Sequence, residues 1–102
     1  MIETVIRKRI EVLVDTPLVR LVTAAITQAE ITGWSVIPVT SGSGREGPWR
    51  EEQVTGSDKS LVLSIASSEK ASRFAEALAP ILTSHGLLLT MWDVEVIRGE
   101  RF

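Results

Sequence analysis

Residues 42–47 read Gly-Ser-Gly-Arg-Glu-Gly and follow directly on an apolar stretch that runs from Trp34 to Thr40. Three glycines in six residues allow positive φ, so that successive N–H groups can converge on one point. Arg45 adds a planar, permanently charged fork. Converging donors beside a guanidinium suit a phosphate or a carboxylate. The competing reading is a flexible loop that carries an arginine, and a short glycine-rich segment does not by itself separate the two. Other chemistry is sparse. The absence of cysteine removes disulfides, thiol catalysis and thiolate metal sites. The single histidine, His85, cannot supply a histidine metal cage within one chain, and no metal site is expected. No nucleophile–base pair can be read out, and Asp93 with Glu95 reads as charge on a strand rather than an acid/base pair, so no catalytic residue and no enzyme is expected. Arg7-Lys8-Arg9 is the one basic cluster, either a solvated strand end or the wall of an anion site.

The elements that must position these residues are legible in the apolar pattern. A length of 102 residues, with 44% apolar and 24% charged, fits one globular domain over 1–102. The net charge of −2 gives no general pull toward nucleic acid. No apolar run is long enough to span a membrane. Met1-Ile2-Glu3-Thr4 lacks a signal-peptide pattern, and a cytoplasmic location is expected.

Arg7 to Val14 alternates as a strand, with Ile10, Val12 and Val14 on one face and Arg9, Glu11 and Leu13 on the other. Asp15-Thr16-Pro17 reads as a helix start, with Asp15 or Thr16 as cap and Pro17 in the first turn. Leu18, Leu21, Val22, Ala25, Ile26 and Ala29 then keep helical spacing, and Gly33 is expected to close that helix or the turn after it. Trp34 to Thr40 is a second strand, which Pro38 assigns to a sheet edge or a bulge.

From Ser41 to Asp58 apolar periodicity is lost, which marks a long loop of the functional or mobile kind. Trp49 in its middle is either an anchor for a partner protein or a residue folded back on its own domain. Lys59 to Ala66 is the third strand, apolar on both faces. Ser67 or Ser68 caps a second helix with Glu69 in its first turn; Pro80 is expected to kink or restart it, and Ser84-His85-Gly86 to end it. Leu87 to Ile97 is the last strand.

The order is β-α-β-β-α-β, an α+β ferredoxin-like unit: a four-stranded antiparallel sheet with both helices on one face. Apolar residues on the face the helices leave bare predict a homo-oligomer. Subunit clefts then become candidate binding sites.

Ile31-Thr32-Gly33-Trp34-Ser35-Val36, Gly42-Ser43-Gly44-Arg45, a long polar loop, Lys59, and Trp92-Asp93-Val94-Glu95-Val96 with a basic tail together resemble the PII signalling superfamily. They are closest to its PII-like branch associated with bicarbonate transport and carboxysomes. The likeness covers nearly the whole chain in element order. It implies a homotrimer that binds adenine nucleotides between subunits and signals through a flexible T-loop, here about 41–58, to a transporter or enzyme of inorganic-carbon metabolism.

Carried over position by position, the resemblance assigns Ser35 to the adenine, with Leu13 and Ile65 packing near it. It assigns Gly42, Gly44 and Arg45 to phosphate, Lys59 to the ligand side of the third strand, and Arg101, with Arg98 as a second, to phosphate from the neighbouring subunit. Bicarbonate is implied as a ligand of Gly44 and Arg45, and Trp49 as a partner contact. The family's second glycine-rich loop with its lysine is missing, since only Ser84-His85-Gly86 stands there, so ADP or AMP is favoured over ATP. Glu46 and Gly47 stand where the family has a glutamine that supports magnesium and 2-oxoglutarate, so 2-oxoglutarate sensing is not expected. The lack of tyrosine excludes tyrosine uridylylation. The alternative function is a trimeric ferredoxin-like metal or small-ligand binder of the metal-tolerance type. It would have to use carboxylates such as Glu95. A third reading, a small monooxygenase-like or phosphoribosyltransferase-type enzyme domain, lacks a catalytic constellation.

Overall fold

The computed structural model describes residues 2–44, 47–50 and 58–97, with 49 and 50 described as backbone only. Strand β1 (Val5–Asp15) alternates between half-buried and buried residues from Arg9 onward, and its buried members are Ile10, Val12 and Val14. A turn of 3-10 helix (Thr16–Leu18) leads into helix α1 (Val19–Gln28), followed by β2 (Ser35–Val39). A hairpin of β3 (Ser41–Gly44) and β4 (Gly47–Arg50) comes next, then β5 (Lys59–Ala66), α2 (Ser68–Leu82) and β6 (Leu88–Val96). The main sheet is antiparallel with order β2-β5-β1-β6, while β3 and β4 pair only with each other. This is the ferredoxin-like arrangement expected from the element order.

One core lies between the sheet and the helices. Ile10, Val12, Val14 and Val62 from the strands pack with Val22 and Ile26 of α1 and with Phe74 and Leu78 of α2, all of them essentially without solvent contact. Two buried serines on the same sheet face are satisfied. Ser64 Oγ donates to the Gly33 carbonyl at 2.6 Å, and Ser60 Oγ shares a 2.9 Å hydrogen bond with Thr16 Oγ1. Among the described residues no helix is long and apolar enough to cross a membrane.

Several local expectations are corrected. Helix α1 ends before Gly33 is reached: Glu30 takes the left-handed conformation (φ 64°), and the Ala29 and Glu30 N–H groups close the last turn on the carbonyls of Ala25 and Thr27. Glutamate there is tolerated at a cost, because a Cβ in that region crowds the backbone. Asp15 does not cap a helix with its side chain. Pro80 neither interrupts nor restarts α2, which runs through it and stops two residues later. Its missing N–H falls in the last turn, where it disrupts little helix downstream. The stretch from Ser41 to Asp58 is not wholly irregular, since it holds the β3–β4 hairpin. Two further expectations agree with the structure: Ser67 Oγ accepts from the Lys70 N–H at 3.2 Å, and Pro38 lies in the edge strand β2.

Candidate functional site

Three chain segments meet at one end of the sheet. β1 finishes at Asp15, β2 finishes at Val39, and β5 begins at Lys59, and the register places these residues side by side as Asp15, Lys59 and Val39. Thr40 alone separates Val39 from the hairpin, so Lys59 stands at the hairpin's root. Lys59 Nζ is paired with Asp15 Oδ1 across the strands. Backbone and hydroxyl contacts hold this end together: the Thr16 N–H donates to the Asp58 carbonyl at 2.9 Å, alongside the Thr16–Ser60 hydroxyl contact.

The pairing also decides which residues share a face. Residues opposite one another in adjacent strands project to the same side. Leu13 pairs with Leu61, which pairs with Ile37; Glu11 pairs with Leu63, which pairs with Ser35; Arg9 pairs with Ile65. Leu13, Ser35, Lys59 and Ile65 therefore all lie on the sheet face away from the helices. That face continues onto β6 through Leu88, Thr90 and Trp92, which pair with Leu13, Glu11 and Arg9. It is apolar and open, with Ile37 45%, Leu88 57% and Trp92 42% exposed. One charged element crosses it. Arg9 Nε contacts Glu11 Oε2 at 3.2 Å, and the Arg9 guanidinium lies 5.8 Å from the centre of the Trp92 ring.

The glycines behave less simply than their spacing implies. Gly42 and Gly44 sit in strand β3, opposite Trp49 and Gly47, and it is Gly47 that takes positive φ (104°). Successive N–H groups of a strand point to alternate edges, so the Gly42–Gly44 segment has no converging cradle in this conformation. Arg45, Arg98 and Arg101 lie outside the described residues, as does the side chain of Trp49. The structure thus brings together Leu13, Ser35, Lys59 and Ile65 on one face and places Gly42 and Gly44 in the hairpin that springs from its end. Asp15, which pairs with Lys59 here, is not found by sequence reasoning. Alternation along β1 puts it on the Leu13 face, but Asp before Thr-Pro is also a capping signal, and the two readings compete.

A split β-α-β fold with a bare apolar sheet face and a hairpin following its edge strand places the chain among small ferredoxin-like α+β domains. The family model described as nitrogen regulatory protein P-II matches residues 7–101, and the chain belongs to that family. Solved structures agree in fold. The CPII protein of Thiomonas intermedia K12 bound to ADP and bicarbonate superposes with a TM-score of 0.90 at 18% identity, covering 100% of this chain and 99% of the other. The same protein bound to ADP, AMP and bicarbonate gives 0.85 at 21% identity, covering 100% and 98%. A putative PII-like signaling protein of Thermus thermophilus gives 0.78 at 20% identity, covering 98% of each chain. No curated protein matches the chain by sequence.

Proposed function

We propose that the chain is a PII-like regulatory protein that senses adenine nucleotides, ADP or AMP in preference to ATP, in the clefts of a homotrimer, with bicarbonate as a second ligand. It signals through the 41–58 segment, with Trp49 as a contact, to a transporter or enzyme of inorganic-carbon metabolism. The observation that carries this reading is that Leu13, Ser35, Lys59 and Ile65, drawn from three strands, share one open face whose charged end is the root of the glycine hairpin. The chemistry is consistent. Leu13 and Ile65 offer apolar area to a purine, and the Ser35 hydroxyl offers a donor and an acceptor to its edge. Lys59 and Arg45, joined by Arg98 and Arg101 of a neighbouring subunit, supply the cations that phosphate needs. Gly44 and Arg45 would chelate bicarbonate. Support comes also from family membership and from the fold shared with CPII, whose structures hold ADP, AMP and bicarbonate.

The test is calorimetric titration of the pure protein with AMP, ADP and ATP, with and without bicarbonate, repeated on Arg45→Ala and Arg101→Ala. Micromolar ADP or AMP binding is expected, about tenfold or more weaker in each variant, as suits loss of a charge-assisted hydrogen bond. No nucleotide binding by the wild type would overturn the reading. Unchanged binding in both variants would overturn the assignment of the arginines.

A further inference from the structure

We propose that Asp15 sets the affinity of this site: it occupies Lys59 as a built-in counter-ion that an anionic ligand at this end of the sheet must displace. The inference rests on the reading of Lys59 as a ligand-facing lysine and adds a competitor that nothing in that reading contains.

Its basis is geometric. Asp15 and Lys59 are directly opposed in the β1–β5 register and their side chains are in contact. Both lie on the open face, at the row nearest the hairpin. The pair is accessible to a ligand, since the Asp15 side chain is 48% exposed and the Lys59 side chain 25%. Exchanging one anion for another across such a half-solvated pair carries a modest penalty, because its attraction is screened by water. A carboxylate already on the ammonium must be outcompeted, and the charge it leaves behind repels the incoming phosphate. Asp15 therefore lowers the affinity of this end of the sheet for an anion, and its removal relieves both the competition and the repulsion.

A second pair supplies an internal control. Lys8 and Asp93 are likewise opposed across β1 and β6, at 2.8 Å, but on the helix side of the sheet and toward its other end. Removing either acid changes the net charge equally, while only Asp15 faces the site.

The experiment compares the wild type, Asp15→Asn and Asp93→Asn in calorimetric titrations with ADP and inorganic pyrophosphate at fixed ionic strength. Asp15→Asn is expected to bind ADP about fivefold tighter than the wild type, a gain that matches the upper range for a partly exposed ion pair. Its gain for pyrophosphate should be similar, and Asp93→Asn should stay within about twofold of the wild type. Asparagine is nearly isosteric, and circular dichroism melting checks the fold; Asp15→Ser is the second variant should Asp15→Asn unfold. Equal or weaker binding in Asp15→Asn, or an equal gain in Asp93→Asn, overturns the inference while nucleotide binding by the wild type leaves the functional reading standing. If the wild type binds no nucleotide, that reading falls, and the pyrophosphate arm still decides: a gain in Asp15→Asn upholds the counter-ion role, and no gain or no binding by either protein overturns it.

Discussion

In the proposed site Lys59 would meet two demands that pull apart: to be held in place, and to be available. Its pairing with Asp15 fixes the side chain, while the exposure of that pair keeps it exchangeable. Replacing Lys59 by methionine keeps the apolar stem and removes the charge. ADP affinity should fall about tenfold, as for loss of a charged contact, whereas the melting free energy should change by less than about 1 kcal/mol, because a half-exposed ion pair contributes little to folding. A large loss of stability with intact binding would show a structural lysine. The faces of Leu13, Ile65 and Lys59 are legible in the sequence because alternation in a strand is a strict period of two. The partner of Lys59 is not, since Asp15 is separated from it by the whole of α1, β2 and the hairpin, and register cannot be read from either strand alone. Arg45 and Arg101 stay at the level of a sequence reading for a related reason: they are defined by what they reach, and no periodicity encodes that.

Helix ends and the hairpin show how far local chemistry reaches. The Ser67 cap is legible because an N-cap serine acts within three residues of itself. Ser67→Ala should lower stability by about 1 kcal/mol, measured by urea denaturation, and no change would mean that tertiary packing alone holds the start of α2. The end of α1 is misread from sequence because Gly33 is the residue a left-handed position prefers, yet the chain turns at Glu30, where burial of Ala29 and Ile31 fixes the path. Glu30→Gly should therefore raise stability by about 0.5–1 kcal/mol, the relief of left-handed strain less the added flexibility of the unfolded chain. The substitution also removes a 3.7 Å contact with Arg73, which is solvent-exposed and small in effect. The hairpin leaves no signal because its strands carry glycine, serine and proline, with Ser41, Ser43, Gly44 and Pro48 all exposed, so neither face of β3 or β4 is required to be apolar.

The two sheet faces differ in what covers them. The helix-side face is consumed by the core, and Phe74 at its centre has no solvent contact. Phe74→Ala should cost about 3–5 kcal/mol, a large share of the roughly 5–15 kcal/mol that holds a domain of this size folded, read by urea denaturation. The opposite face carries Leu13, Leu61, Leu63 and Ile65 in adjacent strands, an apolar surface that an isolated protomer would leave in water. If that face is the seat of a homotrimer, folding and assembly should separate by substitution. Leu61 lies in the row formed by Leu88, Leu13 and Ile37, away from the Phe74 core. Leu61→Asp places a charge where subunits would meet, and burying an unpaired carboxylate costs several kcal/mol. The wild type should therefore scatter light as a trimer of the 11.2 kDa protomer, with a melting temperature that rises with protein concentration. Leu61→Asp should scatter as a monomer, keep the circular dichroism of the folded chain, and lose nucleotide binding, because clefts between subunits vanish with the subunits. A wild type that is monomeric at all concentrations would overturn the trimer, and a monomeric Leu61→Asp that still binds ADP with full affinity would move the nucleotide site from the seam onto the single protomer.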